Sequence, residues 1–448
     1  MNKIQKTIRL LVGYKFLVIL IGSFIPYIGT HMFRQTDTLG VTIRYWLRWT
    51  KEETLQFPLL PAIINTGEAY GIAPMEFPIL NLITVPGFIF GMDYGRFVAI
   101  FIHSLILVGL VWWNYKVWRE KEILGVKVGI TPLLFVVFGT AQIYFTRYMP
   151  DSAAFLLMSL ACGYSWDKID TKRSLPLATL ALLMKPPVVF LFGLFFIRNI
   201  KFQLKNLALW AIPSVAICLA YYKGAIPYII ELSDVNNVFA HNLKNPIEGL
   251  SEFFADPYGI YKLFIKNFFT KYIVFLLFID AIIRIKNKQS YPLAKLWVVF
   301  LIQVIASAAL IGLPGFFHEY YYISTAFIAC LLYKEFLEKG SRKLVILSLV
   351  ILVGYTVERS IYTLRPVVRG HIWYQCREME KYIPDDVIKL KTKNYSANPI
   401  IGVCMSRIVN SKDSNWAMYH RHHSGYEPPA DYQLVHQTES FELYKKED

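Results

Sequence analysis

The carboxylates of Asp37, Glu76 and Asp151 lie between apolar stretches, Asp37 and Asp151 each close to an arginine and a hydroxyl. Asp37 stands in Arg34-Gln-Thr-Asp-Thr, Glu76 in Glu-Phe-Pro-Ile, and Asp151 in Arg147-Tyr-Met-Pro-Asp-Ser. Lys185, in Met-Lys-Pro-Pro, sits inside an otherwise apolar stretch, and the run His318-Glu319-Tyr320-Tyr321 precedes a late apolar segment. A carboxylate can take the proton of an acceptor hydroxyl as it attacks a sugar carbon. Arginine and lysine can stabilise a departing phosphate. The expected roles are catalysis for Asp37, Glu76 and Asp151, donor-phosphate binding for Lys185, Arg147 and Arg34, and a substrate pocket for His318, Glu319 and Tyr321. Each also has a plainer reading. Asp37, between Thr36 and Thr38, and Asp151 can cap helices. Glu76 can be a solvated loop carboxylate, and His318 with its tyrosines an interfacial belt. Lys185 resists such a reading, because a charge in an apolar stretch is costly and usually faces a cavity or partner. Its replacement by Met is expected to leave the fold intact. No CxxC or HExxH spacing occurs, so the sequence names no metal site; a divalent ion between Glu76 and Asp151 stays open.

The elements that must position these residues are membrane helices. Hydrophobic residues make up 55% of the 448 and charged residues only 18%, the balance of a polytopic membrane protein. A net charge of +15 could indicate nucleic acid. The positive residues cluster instead in short loops between apolar runs, the positive-inside pattern. Lys3, Lys6, Arg9 and Lys15 open the first run, which reads as a retained span with a cytoplasmic amino terminus. Leu39, Ile43, Trp46 and Leu47 fall on one helical face and Arg44, Arg48 and Lys51 on another, so 31–48 reads as a helix lying in the membrane surface. The segment after Glu76 is stopped by Pro86 and Gly87 below the roughly 20 residues a span requires, and reads as a second interfacial helix.

Further crossings are expected near 94–115, 129–145, 153–166, 206–222, 267–285, 295–312, 321–333 and 344–357, with a long external loop at 223–265. Basic residues flank 174–197 on both sides, so this stretch reads as a hairpin rather than one kinked helix. The total is about eleven spans, with the carboxyl terminus outside. The expected fold class is a mostly α polytopic membrane helix bundle. Residues 1–358 form its transmembrane part, with a first extracytoplasmic loop at 30–93. Residues 359–448 form a small soluble α/β domain, in which Pro399–Cys404 and Phe441–Tyr444 alternate like strands and Arg377–Tyr382 reads as helical. Cys162, Cys218 and Cys330 fall in apolar runs as small hydrophobes. Cys376 and Cys404 fall in the tail, where they either pair or remain buried thiols.

At the motifs quoted above the sequence resembles the GT-C glycosyltransferases. The branch it is most similar to holds the bacterial relatives of the protein O-mannosyltransferases and lipid A aminoarabinose transferases. Arg34-Gln-Thr-Asp-Thr resembles their first-loop motif, Glu76-Phe-Pro their Glu-x-Pro, Met184-Lys-Pro-Pro their Thr-Lys-Gly-Pro, and His318-Glu-Tyr-Tyr their His-x-Tyr-Tyr. Two positions depart: Phe77 stands where some relatives carry lysine, and Pro186 where they carry glycine. The resemblance covers roughly 1–335 and implies a multi-pass protein of the inner (plasma) membrane. It implies a polyprenyl-phosphate sugar donor, inversion at the sugar carbon, Asp37 as base, and a glycan, lipid or protein acceptor at the extracytoplasmic face. A transporter or lipid flippase is the rival reading, and it needs a single kinked helix at 174–197 with Lys185 at its midplane.

Overall fold

The computed structural model describes residues 2–24, 32–51, 76–145, 148–197, 200–228, 245–287, 291–312, 319–364, 370–387, 389–392, 401, 404, 414–421 and 430–447. The chain forms two compact units. One comprises Met1–Gly22, Ser104–Tyr221 and His241–Thr363; the other comprises Ser23–His103, Tyr222–Ala240 and Leu364–Asp448.

Four helices among the described residues are long and apolar enough to cross a membrane: Tyr94–Trp118, Leu204–Tyr228, Leu293–Ile311 and Arg342–Ile361. Trp112, Ile302, Val350 and Ile361 stay more than half exposed on them. Rows of exposed apolar side chains belong to helices whose solvent is hydrocarbon rather than water.

In the first unit, the crossing expected at 129–145 is two short helices, Thr131–Leu134 and Gly139–Tyr144. Gly139 has φ +65° and lies against the Phe268 carbonyl, a position with no room for a side chain, so the helix is interrupted there. The loop expected at 223–265 holds the helices Pro246–Ala255 and Pro257–Lys262. They begin where Asn245 and Asp256 accept the backbone N–H groups of Ile247 and Gly259. Helices Ile273–Lys286 and Ala326–Lys339 are joined by buried charge: Arg284, paired with Asp280 of its own helix at 2.7 Å, lies 4.0 Å from Glu335 of the other. A short hairpin of β1 (Glu122–Ile123) and β2 (Val126–Lys127) receives the Lys334 ammonium on its Lys127 carbonyl.

In the second unit, helix Met32–Lys51 forms as its periodicity predicts, but the face expected to carry exposed charge is closed at Arg44. Residues 38–45 and Leu47 are buried, and Arg44 is only 1% exposed. The reason is the segment that follows Glu76. Helix Ile79–Thr84 and the 3-10 turn Val85–Phe90 cover the first helix, with Val41, Tyr45 and Val85 in one apolar cluster. Asn81 donates to the Thr38 carbonyl and to Thr42 Oγ1. The outward apolar face belongs instead to this second segment, where Ile83, Ile89 and Phe90 are exposed, as an interfacial helix requires. Gly87 and Gly95 let it pack backbone to backbone on the next helix: a Cβ on Gly95 would stand 2.6 Å from Phe88 Cα.

The tail is a helix, Gly370–Glu380, and an antiparallel sheet of β3 (Trp416–His420), β4 (Tyr432–Gln437) and β5 (Phe441–Lys446), ordered β3-β5-β4. The helix and β5 match the sequence expectation, whereas β3 and β4 were not anticipated. Ile401 and Cys404, expected in a strand, have helical backbone. Gln375 accepts from the Ser440 N–H at 2.6 Å, and His436 stacks on Tyr382 at 4.0 Å. These contacts hold helix and sheet together.

Candidate active site

Two proline-initiated segments build the centre of the first unit. Met149 is extended (φ −141°, ψ 146°), as a residue before proline prefers, and Pro150 opens helix Pro150–Tyr164. Asp151 therefore falls in the first helical turn, where the helix dipole favours its charge. It caps nothing, unlike Asp170, which accepts from the Arg173 N–H. The next helix, Thr171–Met184, starts beside the far end of that segment, where Ser174 Oγ donates to the Ala161 carbonyl at 2.7 Å. It ends at Lys185, which Pro186 forces out of helical geometry (φ −158°, ψ 96°).

The chain then turns back as the 3-10 run Pro186–Ile197. Cys162 Sγ lies 4.0 Å from the Leu191 carbonyl, and Phe192 packs edge-on against Trp210. Trp210 donates to Asn206, whose amide reaches the Ser165 carbonyl. The run after Lys185 thus returns alongside helix Pro150–Tyr164, with Lys185 at the tip. The single kinked helix needed by a transporter is absent.

At that tip Lys185 Nζ stands 3.2 Å from Asp151 Oδ1. Asp151 is fully buried and Lys185 is 4% exposed. The ammonium also lies over the Tyr321 ring, 5.1 Å from its centroid, a cation–π arrangement. Tyr321 belongs to the 3-10 run Glu319–Thr325, which packs against helix Pro150–Tyr164 and the run after Lys185. Beyond the ion pair, neither Asp151 oxygen meets a donor among the described residues. The hydroxyls of Ser152, Tyr322 and Ser324, on the same elements, are also buried without a hydrogen bond there. Buried polar groups normally find partners, so these groups leave hydrogen-bonding capacity beside the ion pair unused among the described residues.

The structure therefore brings together Asp151, Lys185 and Tyr321. Glu76 lies half-buried in the second unit, at the bend before Ile79. Arg34 and Asp37 lie on helix Met32–Lys51 and Glu319 on its 3-10 run, their side chains outside the described residues. His318 and Arg147 are outside them entirely. Since helix Met32–Lys51 begins five residues before Asp37, Asp37 lies inside it and does not cap it. The expectation that Lys185→Met leaves the fold intact also changes, because the substitution would strand a buried carboxylate. Asp151 pairs with an ammonium, and no group of three or more metal-ligating side chains occurs among the described residues. Sequence reasoning missed Arg96, buried in the second unit and donating to the Cys404 carbonyl at 3.1 Å. An arginine just inside the apolar run from 94 was the available signal.

Fold and site together define a polytopic membrane protein with a buried charged centre at a hairpin tip. Its architecture is similar to that of ArnT from Cupriavidus metallidurans in the apo state, with a TM-score of 0.54 over 99% of this chain and 98% of that one at 10% identity. The structure of ArnT from the same organism bound to undecaprenyl phosphate gives a TM-score of 0.54 at 10% identity, covering 97% of each chain. No family model matches the sequence, and no curated protein matches it. The likeness is one of fold.

Proposed function

We propose that the protein is an inverting glycosyltransferase that moves a sugar from a polyprenyl-phosphate donor to a cell-envelope glycan, lipid or protein. It works at the extracytoplasmic face of the plasma membrane. The observation that carries this reading is the full-length likeness in fold to ArnT, one of whose structures holds undecaprenyl phosphate. The buried lysine at the hairpin tip supports it, since a lipid phosphate needs a cation close to the membrane boundary.

In the reaction, an acceptor hydroxyl attacks the anomeric carbon from the face opposite the phosphate. The bond from that carbon to the phosphate oxygen breaks, and polyprenyl phosphate leaves with the electron pair. Asp37 takes the hydroxyl proton, and Glu76 orients the acceptor. Lys185, with Arg147 and Arg34, neutralises the departing phosphate. The Asp151 carboxylate, 3.2 Å from the ammonium, fixes where the charge stands. Tyr321 backs the ammonium, and His318 and Glu319 close the pocket.

The test is transfer from a synthetic undecaprenyl-phosphate sugar by membranes containing the full chain. Asp37→Asn is expected to insert normally and to lose about 10²–10⁴-fold in transfer, the usual contribution of a general base. Near-normal turnover would remove Asp37 from catalysis. Mass spectrometry of surface glycans in a deletion strain identifies the acceptor.

A further inference from the structure

The tail brings together two cysteines that the transfer reaction does not use. Cys376 lies on helix Gly370–Glu380, and its neighbour Arg377 reaches the carbonyl of Cys404, 28 positions away in sequence; both side chains are thiols and lie close enough to influence each other's charge. Both are fully buried. The backbone at Cys404 is held from two sides, because its carbonyl accepts from Arg96 Nη1 at 3.1 Å and from Arg377 Nη1 at 3.3 Å. Arg377 is anchored in turn by Glu380. Cys162 and Cys218 differ, each facing a helix carbonyl, Leu191 and Leu182 respectively.

We propose that Cys376 and Cys404 are a disulfide-forming pair, closed by exchange with an external disulfide as the tail folds. This rests on the reading that the tail lies outside the cytoplasm, where disulfides persist. The chemistry is two exchanges. One thiolate attacks the external disulfide, R–S–S–R, and releases R–S⁻. The second thiolate attacks the mixed disulfide and releases the other R–S⁻. The two cysteines give up two protons and two electrons, and the external disulfide is reduced to two R–SH.

Burial pushes the Cys376 thiol well above its ordinary range, and the neighbouring Cys404 adds to this. The reactive thiolate is thereby suppressed once the tail has closed. Exchange consequently belongs to folding or to a local opening. The bond would tie the tail helix to the point where Arg96 grips the chain, making 376–404 a closed loop.

The experiment is acid-quenched alkylation of the full-length protein, denatured with and without prior reduction and mapped by peptide mass. Of its five cysteines, the three in apolar helices should label without reductant. Without reductant Cys376 and Cys404 should appear as one linked peptide pair lighter by two hydrogen atoms, and they should label only after reduction. Cys376→Ser should release Cys404 to label without reductant. A separate Asp385→Cys variant, at an exposed tail position, is probed in intact cells with a membrane-impermeant maleimide. If the maleimide reaches it and all five native cysteines label without reductant, the pairing is overturned. If it labels only after permeabilisation, the extracytoplasmic placement fails and the pairing fails with it.

Discussion

Lys185→Met removes an ammonium whose partner, Asp151, is sealed from water. Breaking a buried ion pair by deleting one partner typically costs about 3–5 kcal/mol, because the survivor is left uncompensated. Thermal melting of the detergent-solubilised full chain should show that loss for Lys185→Met. The double variant Asp151→Leu/Lys185→Met should recover most of it, since an apolar pair of similar volume removes both desolvation penalties. If Lys185→Met melts like the parent, the pair does not form. Stability and activity should then part company: the double variant folds, but it lacks the cation proposed for the donor phosphate and stays inactive. The carboxylate and lysine were legible from sequence as unusual residues. Their pairing was not, because it depends on two helices running antiparallel so that the start of one meets the end of the next.

At the scale of elements, the tail sheet carries its own pH signature. Burial, followed by the hydrogen bond and charge of Glu442, pushes the Tyr444 phenol up to about 12, from 10.0. Tyr432, on the neighbouring strand, is raised by burial and by Asp431. The folded sheet therefore holds these protons more tightly than the unfolded chain does. Its stability should be fully present below about pH 10 and fall as pH rises toward about 12. Melting of the full-length protein at pH 9 and pH 11 tests this, and Tyr444→Phe should lose less between the two than the parent. Equal losses would mean Tyr444 is not the titrating group. Helix Met32–Lys51 makes a related point about elements. Its periodicity gave the helix, yet periodicity could not say that Ile79–Phe90 would cover Val41 and Tyr45 or that Arg44 would be buried.

Across the whole molecule, the proposed function needs the carboxyl-terminal tail outside, the side that the alternation of basic loops and apolar runs predicts. Helix Arg342–Leu364 is the last long apolar helix before it. A periplasmic-active reporter fused after Ser360 should be active, and a cytoplasm-active one silent. The opposite pattern would remove one crossing and place the Cys376–Cys404 pair in a reducing compartment. It would also separate the tail from an extracytoplasmic acceptor.

By itself the sequence determined the membrane class, several long helices, the break at Lys185 and the residues worth testing. These follow from composition, from periodicity and from the constraint that proline places on the residue before it. Tertiary structure alone decided that Asp151 faces Lys185 rather than capping a helix, that 129–145 is interrupted, and that two cysteines 28 positions apart meet. Each of these outcomes depends on contacts between segments distant in sequence. Local patterns report which residues prefer burial, whereas packing chooses what each is buried against.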